Sequence, residues 1–378
     1  MAADWRSSGH KSIRVLMTTD AVGGVWQYSL DLISQLSARP FEFLLAVLGP
    51  RPREEQRRIA KSIPGLILAE GGFALEWMPG AWAGVDASGK WLLDLQDFFH
   101  ADVIHLNGFS HAVLPWGKPT AVVAHSCVRS WWRAVYGCET GPEWDEYGRR
   151  VSKGLAACTR VVAPSRCMAE CIRTEYEVAH AKISVIHNFV QSEPSCPTAK
   201  APFILAAGRT WDSAKNLELL NRIAPQLDWE VCIAGSTRGP DSSSTAFENV
   251  TALGALPRLE LLDSMGSAAI FAHPALYEPF GLSVLEAAQA GCCLVLSDIP
   301  SLRELWSDAA VFLDPRNPDT WISELNRLAR DKERREQFSA RAQANAMRYS
   351  AQSTVDRYAA LYRSLINGEE GDRKGVAA

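Results

Sequence analysis

The sequence predicts an α/β protein made of two Rossmann-like domains in tandem, and three observations carry that reading. Short continuous apolar runs alternate with helix-length segments along all 378 residues, the pattern of parallel strands covered on both faces. The stretch SEPSCPTAKAP, residues 192–202, holds three Pro in eleven residues and reads as a linker. Beyond it the pattern restarts, and each half opens on a strand followed by a glycine turn, as mononucleotide-binding units do. At about 150 residues per domain, the length also suggests two domains.

In chain order, the strand-like runs of the first half are Ile13–Met17, Phe43–Leu48, Leu66–Ala69, Val103–Leu106, Ala121–Ala124, Val161–Ala163 and Ile183–Ile186. Those of the second are Phe203–Ala207, Val231–Ala234, Ala269–Ala272, Cys292–Leu296 and Val311–Leu313. Residues 319–347 are charged and amphipathic. Val355, Tyr358, Leu361, Tyr362 and Leu365 form a helical stripe. The expected organisation is an N-terminal domain over 1–190, a C-terminal domain over 191–347, a terminal helix over 348–366 and a disordered tail over 367–378.

Composition narrows the function. Hydrophobic residues make up 47% and charged residues 22%, which suits a globular protein with a real core. Net charge is −4, so duplex nucleic acid is not an expected partner. No apolar run approaches the roughly 18 residues of a spanning helix, and the first twelve residues lack the apolar centre of a secretory signal. Nine Cys without a repeating framework suggest reduced thiols and a cytoplasmic protein. Of 13 Trp, nine fall within the first 150 residues, which marks that half as having a specialised surface.

Ligands of open parallel sheets bind at the carboxyl ends of the strands, so the residues there are the candidates. After the first strand come Gly23 and Gly24, then a helix from about Trp26. A glycine pair at a helix start lets an anion approach backbone N–H groups. The spacing is not GxGxxG, so a dinucleotide fingerprint is not supported. After the first strand of the second half come Gly208 and Arg209, with Lys215 six positions on, before a helix from Asn216. A fork donor plus a point cation suits a pyrophosphate. The strand ending at Ala272 leads into EPFGLSVLEAAQAG, which carries Glu278 and Glu286. Ser283 and Glu286 also have capping-box spacing. Two carboxylates here would accept hydrogen bonds from vicinal hydroxyls of a sugar or ribose.

These motifs resemble the retaining glycosyltransferases of family 4, with their GT-B architecture. The carrying residues are Gly23-Gly24, Gly208-Arg209 with Lys215 and Asn216, and Glu278 and Glu286 with seven residues between them. The resemblance spans about residues 13–365. It implies two Rossmann-like domains facing across a cleft, with the terminal helix crossing back to the N-terminal domain. It implies that Arg209 and Lys215 grip the donor diphosphate, that Gly23 and Gly24 abut it or the transferred sugar from the other domain, that Glu278 faces the sugar and Glu286 the ribose. Backbone amides of Gly281, Leu282 and Ser283 would assist. His125, at a strand end, would contact the donor sugar or the acceptor. His105 reads as structural. Trp26, Trp131 and Trp132 are the candidates for lining an acceptor pocket.

The implied function is transfer of a sugar, with retention, from a nucleotide diphosphate sugar to a glycan, lipid-linked glycan or small-molecule hydroxyl. No DxD motif occurs, so no metal and no cofactor are expected. Arg209→Ala or Lys215→Ala is expected to cut turnover with little loss of folding. The chain departs from the family at Phe189-Val190, in the segment that precedes the family's hinge, and at Ala234-Gly235-Ser236-Thr237-Arg238-Gly239-Pro240, where the second departure leaves the base unread. Alternatives are a nucleotide-sugar epimerase or sugar-phosphate synthase of the same fold, and a non-catalytic nucleotide-sugar-binding protein. Residues 51–61 form a mixed-charge helix. Peripheral contact at the inner face of a membrane belongs to the resemblance, but the thin apolar face (Ile59, Ile63) favours a solvated helix.

Overall fold

A computed structural model describes residues 12–191, 199–237, 239 and 246–375. Residues 192–198 of the expected linker, together with Arg238 and Pro240, lie outside the described residues. The chain divides into two compact units. The first contains the chain to Ser130, Glu139–Asn188 and everything from Ala351. The second contains Trp131–Cys138 and Phe189–Ser350.

In the first unit the order is β1 (Ile13–Asp20), α1 (Gly24–Leu36), β2 (Phe41–Leu48), α2 (Glu54–Ser62), β3 (Leu66–Glu70), α3 (Trp82–Phe99), β4 (Val103–Leu106) and β5 (Thr120–Val123). Then come α4 (Val128–Tyr136), α5 (Asp145–Ala157), β6 (Arg160–Ala163), α6 (Arg166–Tyr176) and β7 (Ile183–Val185). The strands form one parallel sheet in the order β3-β2-β1-β4-β5-β6-β7. Strand order reverses between β1 and β4, the place where such sheets open a crevice for ligands.

The second unit runs β8 (Ala201–Ala207), α7 (Leu217–Ile223), β9 (Glu230–Ala234), β10 (Thr251–Gly254), α8 (Arg258–Ser267) and β11 (Ala268–His273). It continues through α9 (Leu282–Gln289), β12 (Cys293–Ser297), α10 (Pro300–Trp306), β13 (Val311–Leu313), α11 (Pro318–Arg330) and α12 (Lys332–Ala346). Its parallel sheet has the order β10-β9-β8-β11-β12-β13, with the reversal between β8 and β11. Alternate residues feed two cores. Leu205, Phe271, Leu294 and Leu296 face one side with Trp306 and Tyr349. Ile204, Ile270, Cys293 and Val295 face the other with Trp321 and Leu325. Burial on both faces explains why these strands read as unbroken apolar runs.

The last helix, α13 (Ala351–Gly375), belongs to the first unit. Thr354 Oγ1 donates to His187 O (2.8 Å) and Arg357 to Val185 O (2.9 Å). Tyr358 and Tyr362 are fully buried, against Tyr28 and Phe41. The helix reaches Gly375, where the sequence suggested a tail from 367; Glu369, Glu370, Arg373 and Lys374 are good helix formers. Residues 376–378 lie outside the described residues. No described helix is long and apolar enough to cross a membrane.

Candidate active site

The loop after β8 is tied down by backbone. Gly208 N–H donates to Ala234 O (2.9 Å) and Gly235 N–H to Gly254 O (2.7 Å). A Cβ on Gly235 would stand 1.7 Å from Gly208 O, so only glycine fits where these strand ends meet. Next comes Asp212, a carboxylate 7% exposed. It accepts from Arg209 Nη2 (2.6 Å), Ala214 N–H (3.0 Å) and Trp131 Nε1–H (3.2 Å). Burial alone would raise its pKa, but the nearby Arg209 and Lys215 charges hold it below the usual carboxylate value. Arg209 keeps 38% of its side chain exposed, with its guanidinium 5.2 Å over the Trp211 ring. Its Nε has no hydrogen-bond partner. The guanidinium therefore has donors left for an incoming anion.

Lys215 ends a single 3₁₀ turn, Ser213–Lys215. Its Nζ donates to Glu278 Oε2 (2.6 Å), and His273 Nε2–H donates to the same oxygen (3.1 Å). Glu278 is 8% exposed. Burial opposes its charge, yet Lys215 and His273 hold it ionised, with a pKa well below the normal range. His273 is kept neutral by burial, against the pull of Glu278. Ser301 Oγ fixes the Glu278 carbonyl (2.6 Å). Asn216 is the N-cap of α7, where the sequence placed the start of a helix. It has φ +52°, its side chain donates to Pro274 O (2.9 Å) and Pro315 O (3.0 Å), and the helix after it has only seven residues. It staples three loops together.

Gly281 has φ +87°, a conformation that favours glycine, and is the N-cap of α9. Leu282 and Ser283 begin that helix, so the capping box expected of Ser283 and Glu286 does not form: Ser283 lies inside the helix, and the cap makes no side-chain bond. Glu286, 7% exposed, pairs instead with Arg258 Nη2 (3.2 Å). Arg258 also donates to Gln191 O (3.2 Å). Arg209, Lys215 and Glu278 thus meet in one cluster of the second unit, Gly281, Leu282 and Ser283 follow at the start of α9, and Glu286 lies on that helix with its own partner, Arg258.

The first unit holds Gly23, Gly24 and His125. Gly23 is the N-cap of α1, in extended backbone without a side-chain cap, and Gly24 is exposed. Nearby, Asp20 accepts Val22 N–H (2.8 Å). His125 follows β5 and donates from Nε2 to Asn107 Oδ1 (2.8 Å). Burial, reinforced by His105, pushes its pKa down to about 3. The fully buried His105 is pushed to about 4 by burial.

The aromatic candidates separate. Trp26 is 4% exposed; it packs in the core because the first turn of α1 turns it inward, and it offers no open face to a sugar. Trp131 and Trp132 are half-buried and cluster with Tyr136, at 5.7 and 4.6 Å between ring centroids. Their segment, Trp131–Cys138, belongs with the second unit rather than with residues 1–190. The Trp131–Asp212 bond holds it there, together with Arg316, which donates to Ala134 O (2.9 Å) and Val135 O (3.1 Å). On α2, Arg57 is engaged by Glu70 (2.8 Å) and Glu54 (3.3 Å), which reduces the basic excess of that helix. Asp212, His273, Arg258 and Asn107 escaped the sequence reading. The signals were there in part: His273 ends a strand, and Asp212 lies three residues after Arg209.

Two family models match in succession: "Glycosyltransferase Family 4" over residues 22–193 and "Glycosyl transferases group 1" over residues 193–345. Among curated proteins, the O-antigen chain mannosyltransferase B of Escherichia coli is 32% identical over 113 residues, 30% of this chain and 30% of that protein. The O-antigen chain mannosyltransferase RfbU of Salmonella typhimurium is 26% identical over 183 residues, 45% of this chain and 51% of that one. The aligned stretches thus span about half or less of these relatives' length. Among solved structures, a sucrose-phosphate synthase from Thermosynechococcus elongatus matches with a TM-score of 0.80 at 15% identity, over 94% of this chain and all of that one. The chain belongs to the GT-B glycosyltransferases of the family 4 type.

Proposed function

We propose that this chain is a retaining, metal-independent glycosyltransferase that moves a sugar from a nucleotide diphosphate sugar to an acceptor hydroxyl. The observation that carries the reading is the buried Lys215–Glu278–His273 cluster beside Arg209–Asp212, at the reversal point of the second sheet. Two cations held by acidic partners suit a dianionic diphosphate: they lie in place before it arrives, and their charge stabilises the leaving group as it departs. Such preorganised cations can serve where other enzymes use a metal ion. Glu278, kept ionised, accepts hydrogen bonds from the sugar hydroxyls, and Glu286, oriented by Arg258, accepts them from the ribose.

In the proposed step the bond between the sugar C1 and the diphosphate oxygen breaks, and a bond from C1 to the acceptor oxygen forms on the same face. The acceptor proton passes to a phosphate oxygen of the leaving diphosphate. The acceptor is a glycan, a lipid-linked glycan or a small molecule that bears a hydroxyl, and relatives named for O-antigen chains and for a lipid diphosphate support the first two. One of these is a diphospho-undecaprenol N-acetylgalactosaminyltransferase of Campylobacter jejuni, 27% identical over 139 residues. Thermal-shift screening against UDP, GDP, ADP and their sugars tests donor binding; a micromolar binder at millimolar concentration adds about 4 kcal/mol of stability. Incubating the stabilising sugar without acceptor then separates transfer from epimerisation, because an epimerase interconverts the donor. No stabilisation by any of these nucleotides would remove the reading.

A further inference from the structure

The polar groups at the reversal point of the first sheet form one chain, with Tyr362 and His105 fully buried and Asn107 and His125 partly so. Tyr362 OH meets His105 Nδ1 (2.7 Å), His105 Nε2 meets Asn107 Oδ1 (3.0 Å), and the same Oδ1 meets His125 Nε2 (2.8 Å). Asn107 stands between two imidazoles, and its own orientation is fixed. Its Nδ2 donates to the Thr18 carbonyl (2.8 Å), which can only accept, and to Ser29 Oγ (3.2 Å). Its backbone N–H donates to Thr18 Oγ1 (3.0 Å). The amide therefore cannot be turned round, and Oδ1 must face both rings.

An amide oxygen only accepts, so both Nε2 atoms carry the proton. Each ring is neutral, because burial disfavours its charged form. In a neutral ring with Nε2–H, Nδ1 bears a lone pair. For His105 that lone pair accepts the Tyr362 hydroxyl proton. For His125 it is left as an acceptor.

We infer that Asn107 is a positioning residue that locks His125 as the Nε2–H tautomer, so that His125 meets substrate through an accepting Nδ1 and not as a proton donor. This deepens the proposed transfer reaction and rests on it only for the identity of the hydroxyl that Nδ1 accepts. His105 and Tyr362 are the outer links, so a residue of the terminal helix helps to hold the far end of the chain. A His125 with this tautomer neither supplies positive charge to the leaving diphosphate nor protonates it. It orients a hydroxyl of the sugar or of the acceptor.

The test is a long-range ¹H–¹⁵N correlation spectrum of the full chain labelled with ¹⁵N-histidine, near neutral pH and without substrate. His105→Gln and His125→Gln each remove one ring pattern and so assign the two. The expected spectrum shows, for both rings, one protonated and one bare nitrogen with widely separated shifts, the bare one being Nδ1. In Asn107→Ala the two His125 nitrogens should move toward a common averaged position as the tautomers interchange. In Tyr362→Phe, which leaves Asn107 in place, His125 should keep its pattern. A wild-type His125 carrying Nδ1–H or both protons overturns the inference, even if Asn107→Ala fails to fold. So does an unchanged His125 in a folded Asn107→Ala, or a changed one in Tyr362→Phe. The spectrum needs neither donor nor acceptor, so it succeeds or fails independently of glycosyl transfer.

Discussion

At the reversal point of the first sheet the linked polar groups are uncharged: two neutral imidazoles, an amide, and the hydroxyls of Tyr28, Tyr358 and Tyr362. At the same topological place in the second sheet they are ionic: Arg209 with Asp212, Lys215 with Glu278, Arg258 with Glu286. Both networks sit on the same scaffold, so the fold does not dictate the difference. The ligands proposed for them, a hydroxyl at the first and a diphosphate at the second, differ in the same way. A neutral network orients hydroxyls without attracting charge, whereas an ionic one holds cations ready for phosphates and keeps carboxylates ionised beside them.

The largest way to break this comparison is acid. His105 is held to about 4 and His125 to about 3, and His111 in the same unit is also lowered, all chiefly by burial. In the second unit His273 is the corresponding lowered imidazole. Their folded pKa values lie below the unfolded one, near 6.5, so the unfolded chain binds protons that the folded chain refuses. Stability is therefore full above pH 6.5 and falls as pH drops toward 4.5. One such group gives a slope of about 1.4 kcal/mol per pH unit, and three give up to about 4. Amide exchange along β4 and β5, corrected for intrinsic rate, should accelerate more steeply over that range than exchange along β11 and β12. The second unit should follow mainly below about pH 4.5, where the unfolded chain begins to protonate Glu278 and Asp212 while the folded chain, with both groups depressed by their partners, still holds them ionised. Equal slopes in the two units would erase the contrast.

Next in size are the two cations. Arg209→Ala and Lys215→Ala should each lower kcat by 10²–10³-fold, about 3–4 kcal/mol of lost transition-state stabilisation. The sequence suggested that both would leave folding almost untouched, and the structure separates them. Arg209 is 38% exposed, so its loss should barely move the melting temperature. Lys215 neutralises a carboxylate only 8% exposed, and its loss should cost about 3 kcal/mol of stability, the scale of breaking a buried pair from one side. Thermal melts of the two variants check this. Near-wild-type kcat in both would remove the diphosphate assignment.

The elements themselves were legible. Every strand-like run in the sequence is a strand, because most of these strands are buried and apolar throughout; the half-exposed β10 carried no such run and was missed. Arg209 and Lys215 advertise themselves through the glycine turn at Gly208. What the sequence concealed was partnership. His273 and Glu278 stand five residues apart, Lys215 and Glu278 sixty-three; only the parallel β8–β11 pairing, invisible in a linear string, brings all three to one place. Asn107 looked like an ordinary strand-end residue, since its meaning lies in Thr18, which fixes its amide, and His125, which it faces. Ser283 and Glu286 showed the opposite failure. Their spacing satisfied a local rule, but Gly281 took the cap and the carboxylate went to Arg258.

A smaller effect is expected at Asp212. Asp212→Asn keeps the shape but weakens the hold on Arg209, so donor KM should rise and kcat should fall about tenfold, near 1.4 kcal/mol. Arg209→Ala and Asp212→Asn together should then cost little more than Arg209→Ala alone, because Asp212 acts through the guanidinium. Additive losses in that double-mutant cycle would give Asp212 a separate role.

The smallest effect decides what Trp131 does. As a platform for an acceptor, it would work through the face of its ring, and Trp131→Phe, which keeps an aromatic face, should leave donor kinetics unchanged and shift acceptor KM slightly. As a support for Asp212, it works through Nε1–H, 3.2 Å from Oδ1. Phenylalanine cannot donate that bond, and the loss of one hydrogen bond to a charged group is worth about 1.5–3 kcal/mol at most and less when water can replace it. The geometry favours the second role, since the indole N–H joins the same carboxylate that holds Arg209. Trp131→Phe should therefore raise donor KM a few-fold, with acceptor KM within twofold of wild type. Initial-rate kinetics with each substrate varied in turn separates the two. A shift confined to the acceptor would return Trp131 to the sugar-platform role and leave the ionic network of the second unit complete without it.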